Sequence, residues 1–238
     1  LHPLMDQLAP DFRVIALDLP LSNRAGFKYP PTLEAYADLI LAFANALELD
    51  SPAFFGNSLG GTLGLICALK DPGAFSKLVI RAPLWTRAQL PSYLRIPGLV
   101  PVHKALSQNK PYAQRILALI YQRSVQISPI TGDGDRSDPS EDHLALFDRY
   151  QINPVLLSSF LGYLLDVELK GQVGQIPTPT LVLWGEQDTL TPSIWGSRLA
   201  DCMPEAGFQA APGEYHNLAT TNPEELARLS GDFIGVKE

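Results

Sequence analysis

Short apolar runs alternate along this chain with longer stretches in which apolar residues return every three or four positions. The first run, Arg13-Val-Ile-Ala-Leu17, is closed by Asp18 and Pro20. A run so brief and so apolar reads as a buried strand stopped by a turn. After two prolines, Thr32 can cap a helix with Glu34 in its first turn. Leu33, Tyr36, Ala37, Ile40, Leu41, Ala44 and Leu47 then line one helical face. Pro52–Phe55 is a second strand candidate and Gly56–Gly61 a glycine-rich turn. Thr62–Leu69 is apolar all round, as suits a helix buried under a sheet. Lys77–Ala82, Pro179–Trp184 and Gly207–Ala211 are the third, fourth and fifth strand candidates, with a helix expected over Ile194–Cys202. Asn222-Pro223-Glu224-Glu225 sets a cap, a proline at the first helical position and a glutamate at the third. The last helix follows through Leu226, Leu229 and Phe233.

Strands alternating with helices predict an α/β fold with a mostly parallel, doubly wound sheet covered on both faces. The rhythm breaks after Pro83. A loop punctuated by Pro91, Pro97 and Pro101 comes first, then helical runs at Tyr112–Ser124 and Leu144–Leu165, with no clear strand. This predicts a core over residues 1–83, a helical cap insertion over 84–175, and a second part of the core over 176–238. Between the cap runs lies Thr131–Asp142, where Asp133 and Asp135 hint at a calcium loop. The glycine such a loop needs at its sixth position is Asp138 here, so the segment reads as a solvated connection.

Composition narrows the functional classes. A length of 238 residues gives one to two domains at ~150 residues per domain and still fits a single α/β domain. With 46% hydrophobic and 18% charged residues the chain has ample apolar surface to bury, which excludes intrinsic disorder. Eighteen Lys and Arg against 25 Asp and Glu leave a net charge of −7, which argues against binding a phosphate backbone. No apolar run reaches the ~18 residues of a membrane span. Cys67 and Cys202 fit no metal-binding spacing. Cys67 falls in an apolar helical run and reads as core, and a pairing between the two stays open. So few cysteines suggest a reducing, cytoplasmic setting. The chain starts at Leu1 rather than Met, so it reads as trimmed, processed or incomplete at its start, and a signal peptide cannot be judged.

The chemistry concentrates at strand ends. Gly56-Asn57-Ser58-Leu59-Gly60 matches G-x-S-x-G and stands between an apolar run and a helix, the setting of a nucleophile elbow. Such a turn holds its serine in a strained conformation, and a Cβ at Gly56 or Gly60 would strike the neighbouring strand or helix. A serine hydroxyl is a weak nucleophile until a base takes its proton. Of four histidines, His2, His103 and His143 lie at the start of the chain or inside the expected cap and read as surface or packed residues. His216 alone follows a strand at the carboxyl edge, where sites of open parallel sheets collect. The carboxylate that orients such a base is Asp188 in Trp184-Gly185-Glu186-Gln187-Asp188, with Glu186 the nearby rival, read as turn or surface. The other possible acid position, Arg81-Ala82-Pro83-Leu84, holds no carboxylate.

On these residues the sequence resembles the α/β-hydrolase superfamily, in its capped branch of serine hydrolases. The resemblance rests on Phe55–Gly61, on Thr180–Asp188 and on Tyr215-His216 ahead of Asn222-Pro223-Glu224. It implies Ser58 as nucleophile, His216 as general base and acid, Asp188 as its orienter, and the Leu59 N–H as one oxyanion-hole donor. It implies no metal or organic cofactor. There are departures: Asp18-Leu19-Pro20 continues as Leu21-Ser22-Asn23 rather than through glycines, and Tyr215 stands where many members carry glycine. The family's early strands, with a His-Gly segment that supplies the second oxyanion N–H, would lie upstream of Leu1. The strand of that segment would sit between those expected at Val14 and Ala53.

The leading expectation is cleavage of a small carboxylic ester through an acyl-enzyme, with no nucleic acid as partner. Cap aromatics such as Trp85, Tyr93, Tyr112, Phe160 and Tyr163 would either pack or touch substrate. A second reading keeps the triad but cleaves a carbon–carbon bond of ring-cleavage products. Such enzymes typically carry a tryptophan soon after the histidine, where this chain has Asn217-Leu218-Ala219. Thioesterase or acyltransferase action keeps the same residues. A binding protein on the same fold ranks below all of these, since such proteins usually lose triad members.

Overall fold

The structure is a computed structural model that describes residues 2–20, 32–127, 153–189, 191–216 and 222–235. Helix α1 (His2–Leu8) comes first. Helix α2 (Leu33–Ala46) starts where expected, because the Thr32 side chain accepts a hydrogen bond from Ala35 N–H at 3.2 Å and so satisfies one of the orphan donors of the first turn. Strand β1 (Phe54–Asn57) leads through Ser58 into α3 (Leu59–Lys70), and β2 (Leu78–Arg81) follows.

Between β2 and the next strand the described residues form helices only. These are short 3-10 turns at Arg87–Gln89 and Ser92–Arg95, then α4 (Leu99–Leu106), α5 (Lys110–Ile127) and α6 (Pro154–Leu164). The chain returns through β3 (Thr180–Gly185), α7 (Ile194–Cys202), β4 (Ala206–Ala211) and α8 (Pro223–Ile234). At the head of α8, Asn222 accepts from Glu225 N–H at 3.2 Å, and Pro223 occupies a position that has no helical hydrogen bond to lose.

The four strands lie side by side in the order β1-β2-β3-β4, all parallel. Alternation along each strand divides the core. Leu78 and Ile80 of β2 and Val182 and Trp184 of β3 face one layer with α2, α3 and α7. Val79, Leu181 and Leu183 face the other layer, formed by Leu4 of α1 and Leu226 and Leu229 of α8. In β2 and β3 the period of two thus sends each residue to a covered face, as a doubly wound sheet requires, whereas Gly207, Phe208 and Gln209 of β4 are exposed.

Two expectations fail here. Arg13–Leu17 is not a strand, and residues 13–19 take no regular structure. A strand exists only where a neighbour takes its hydrogen bonds, and among the described residues the sheet ends at β1, with no strand in between for this segment to pair with. Leu17 and Leu19 still pack against the larger core. The loop expected after Pro83 holds as far as Gly98, apart from two short 3-10 turns, but its last proline does not belong to it. Pro101 stands in the first turn of α4, where a missing N–H removes no helical bond. The 131–142 loop and residues 144–152 of the expected second cap helix lie outside the described residues.

Candidate active site

The elbow between β1 and α3 forces Ser58 into an uncommon backbone state. Ser58 has φ +50°, in the left-handed region that an L-residue occupies at a cost of about 1–3 kcal/mol. Its N–H donates to Arg81 O at 2.7 Å, which fastens the turn to the end of β2. Ser58 is the N-cap of α3, yet its side chain makes no capping bond. The hydroxyl is therefore not spent on the helix. Leu59 is the first residue of that helix, where backbone N–H groups have no intrahelical partner and the helix end is electropositive.

The close approach that the turn demands falls on Gly56 and Gly61, not on Gly56 and Gly60. A Cβ on Gly56 would collide with Gly60 O and stand 2.5 Å from Gly60 C and 2.7 Å from Gly61 N. On Gly61 it would stand 3.2 Å from both Gly56 O and Pro83 Cβ. At Gly60 it would meet nothing within 4 Å. The expectation for Gly60 is therefore corrected: its Cβ would point into open space, while the next glycine carries the contact.

Asp188 and His216 meet. His216 Nδ1 lies 2.6 Å from Asp188 Oδ2, and the Asp188 side chain is fully buried. The carboxylate is held on both oxygens by Thr191, whose N–H donates to Oδ1 at 2.9 Å and whose hydroxyl donates to Oδ2 at 3.0 Å. Trp184 Nε1 donates to Thr191 O at 2.5 Å, which anchors that turn to β3. Since Asp188 is an acceptor when ionised, Nδ1 carries the proton and Nε2 is left as the basic nitrogen, a tautomer assigned from the bonding pattern. Glu186 is exposed, and its carboxylate accepts from Gly213 N–H at 3.4 Å, the turn-and-surface place expected of it.

A residue without catalytic promise in the sequence joins these parts. Arg81, fully buried at the end of β2, donates from Nη1 to Asn57 Oδ1 at 2.5 Å and to His216 O, and from Nη2 to Tyr215 O at 2.8 Å. One nitrogen thus bridges the residue before Ser58 and the backbone of His216. Burial lowers the Arg81 pKa to about 10, opposed by the charges of Asp188 and Glu214. The only sequence signal was an arginine inside an apolar run. The role of Thr191 had no sequence signal at all.

The remaining candidates are structural. His103 is buried, with Nδ1 2.9 Å from Tyr112 Oη and Nε2 3.0 Å from Ser158 O, inside the packing of α4, α5 and α6. His143 and the side chain of His2 lie outside what is described. Phe160 packs edge-on against Tyr36, and Trp85 donates from Nε1 to Trp195 O at 3.3 Å, so both are packing aromatics. Cys67 and Cys202 are free thiols. Among the described residues no three metal-ligating side chains cluster, and no helix is long and apolar enough to cross a membrane.

Comparison with known proteins gives the family of the fold. A family model described as alpha/beta hydrolase fold matches residues 2–223. A pimeloyl-[acyl-carrier protein] methyl ester esterase of Photobacterium profundum is 28% identical over 237 residues, covering 97% of this chain and 87% of that protein. A 2-hydroxy-6-oxo-6-phenylhexa-2,4-dienoate hydrolase of Burkholderia cepacia is 24% identical over 235 residues, covering 95% and 78%. Among solved structures, a thermophilic esterase from Thermogutta terrifontis superposes with a TM-score of 0.72 at 19% identity, covering 98% of this chain and 83% of that one.

Proposed function

The chain belongs to the α/β-hydrolase fold family, and from that premise we propose that it is a serine hydrolase of small carboxylic esters. Ser58 is the nucleophile, His216 the general base and acid, Asp188 its orienter and the Leu59 N–H an oxyanion donor. The observation that carries this reading is the 2.6 Å bond from His216 Nδ1 to a buried carboxylate that Thr191 already holds on both oxygens. A base so oriented keeps Nε2 free for a proton.

In the reaction, His216 Nε2 takes the Ser58 proton as Oγ bonds to the ester carbonyl carbon. The carbonyl oxygen becomes an oxyanion at the amino end of α3, where Leu59 N–H donates to it and the helix potential stabilises it. The tetrahedral centre collapses, the alkoxide leaves with the proton from His216, and the acyl group remains on Ser58. Water then enters and gives one proton to His216 as its hydroxyl adds to the acyl carbon; the second tetrahedral centre breaks its bond to Ser58 Oγ, which takes that proton back from His216 as the carboxylic acid leaves. Asp188 stays ionised and stabilises the imidazolium in both halves. Helices α4, α5 and α6 would form the wall that contacts the acyl or alcohol group.

A fluorophosphonate probe tests the reading directly. Covalent labelling that disappears in Ser58→Ala, together with turnover of short p-nitrophenyl esters, is the expected result. An unlabelled protein, or a Ser58→Ala variant with wild-type turnover, overturns it. The likeness to the dienoate hydrolase supports one other reading, carbon–carbon hydrolysis by the same triad. A coloured dienol substrate assayed beside the esters separates the two.

A further inference from the structure

Arg81 is buried where the segments that bear Ser58, Asp188 and His216 come together, and it is none of the three. Its backbone oxygen accepts from Ser58 N–H at 2.7 Å. Its guanidinium grips the Asn57 amide oxygen and the carbonyls of both Tyr215 and His216. Among the described residues the other backbone bonds of this loop lie at or before Glu214, and past it the His216 side chain is tied to Asp188 Oδ2 at 2.6 Å. Gln187 N–H donates to Glu214 O at 2.9 Å, Glu214 N–H donates to Ala211 O at 3.3 Å, and Asn222 Nδ2 donates to Glu214 Oε1 at 3.2 Å. They fix the loop up to residue 214, and Arg81 holds the two carbonyls beyond it.

A stabilising role alone explains this residue poorly. A guanidinium taken fully out of water loses its hydration, and an apolar side chain of similar size commonly serves stability as well or better. The exchange is incomplete besides, since Arg81 Nε is buried with no hydrogen-bond partner among the described residues. Ala82, next along, has φ +43°, so the backbone at this strand end is strained as well. Buried, costly and strained features of this kind persist where geometry matters to function. The planar fork of an arginine also suits the task, because it can hold several oxygens in fixed directions where an ammonium is a single point charge.

We propose that Arg81 is a positioning residue that aims the His216 imidazole at Ser58 by holding the histidine loop down on the nucleophile turn. The proposal rests on the reading of Ser58, Asp188 and His216 given above. Loss of the fork would leave substrate binding in place and let the imidazole wander, so the cost falls on kcat. A misplacement on the order of 1 Å in such a site lowers the rate by about 10²-fold.

Arg81→Met, Arg81→Lys and Ser58→Ala test it in the purified protein. Steady-state kinetics on a p-nitrophenyl ester give kcat and KM, and active-site titration gives the native fraction. Proton NMR observes the far-downfield resonance of the Asp188–His216 hydrogen bond. Arg81→Met should fold, keep KM near wild type, lose about 10²-fold in kcat per native molecule, and lose or broaden the downfield resonance. Arg81→Lys should recover part of both. A folded Arg81→Met protein with wild-type kcat and resonance overturns the proposal, as does a loss of activity that titration assigns wholly to unfolded protein. Should Arg81→Met fail to fold, Arg81→Lys decides: a lowered kcat at unchanged KM supports the proposal, and an unchanged kcat overturns it. Failure of the triad reading has a separate signature, full turnover in Ser58→Ala.

Discussion

Replacing Gly185 by alanine is the sharpest probe of how the histidine loop is held. Gly185 ends β3, and the loop backbone crosses directly over it. An added Cβ would collide with Tyr215 O and stand 2.5 Å from Glu214 O and 2.9 Å from Glu214 C. Ordinary contact begins at 3.4 Å, so about 0.9 Å must be found against Glu214 O. The strand cannot supply it, because β3 is bonded to β2 on one side and β4 on the other, and Leu183 and Trp184 are fully buried. The loop must therefore lift. A lift of that size carries Tyr215 O from 2.8 Å to beyond hydrogen-bond range of Arg81 Nη2 and draws His216 away from Asp188. Overpacking of this kind costs about 1–3 kcal/mol, which for a chain of this size lowers Tm by roughly 2–12 °C. A shift on the order of 1 Å costs about 10²-fold in rate. Gly185→Ala, assayed well below its Tm, should thus lose about 10²-fold in kcat for a p-nitrophenyl ester while KM barely moves. Gly207→Ala on β4, where a Cβ meets nothing within 4 Å, is the control and should change neither quantity. A Gly185→Ala protein with a lowered Tm but wild-type kcat would refute the reasoning, since the loop would then have moved without consequence for the chemistry.

Asp188→Asn should keep the fold and lose up to about 10⁴-fold in kcat, because the amide favours the wrong imidazole tautomer; steady-state kinetics check it, and wild-type activity would move the acid role elsewhere, to Glu186 first. Thr191→Val removes the 3.0 Å hydroxyl bond to Asp188 but keeps the backbone bond at 2.9 Å. A hydrogen bond to a charged group is worth about 1.5–3 kcal/mol, so kcat should fall roughly 10- to 10²-fold, with recovery in Thr191→Ser. Burial raises the Cys67 thiol from 9.0 to about 12. The folded state therefore keeps a proton that the unfolded chain sheds, and the associated stability is complete below pH 9 and drains away as pH climbs toward 12. Denaturant melts across that range should show the decline, and iodoacetamide at neutral pH should alkylate Cys202 in the native protein and Cys67 only after unfolding.

Much of the molecule was legible because its signals are local. Thr32 and Asn222 are caps whose side chains bond within three residues, so the starts of α2 and α8 could be placed from sequence. The strands from β1 to β4 came within two residues of their observed bounds, since their apolar runs are short and sharply ended. Asp188 and His216 were legible through position, each following a strand at its carboxyl end. What stayed hidden depends on partners far away in the chain. Arg81 binds carbonyls 134 and 135 residues distant, and a peptide carbonyl has no side-chain signature. Arg13–Leu17 has the pattern of a strand, yet a pattern does not supply a neighbour to pair with. The exchange of Gly60 for Gly61 has the same origin, because only the packed turn reveals which glycine faces Gly56 and Pro83.

Sheet geometry explains why Gly185 and Arg81 occur together. Neighbouring strands lie about 4.8 Å apart, so β4 runs roughly 14 Å from β1. Under the proposed reading, a histidine that follows β4 and serves a serine that follows β1 must reach back over the ends of β3 and β2. The loop can do so only if it lies low on β3, which requires a residue without a Cβ there, and if β2 sends up something long enough to hold it, which Arg81 does. One residue makes room for the loop and the other secures it, so both act on the same displacement. Their substitutions should then fail to add. Once alanine at 185 has lifted the loop, Arg81→Met has little left to release, and the double variant should lose scarcely more kcat than the worse single one. Losses that multiply instead would mean two independent effects on the site and would break the link between them.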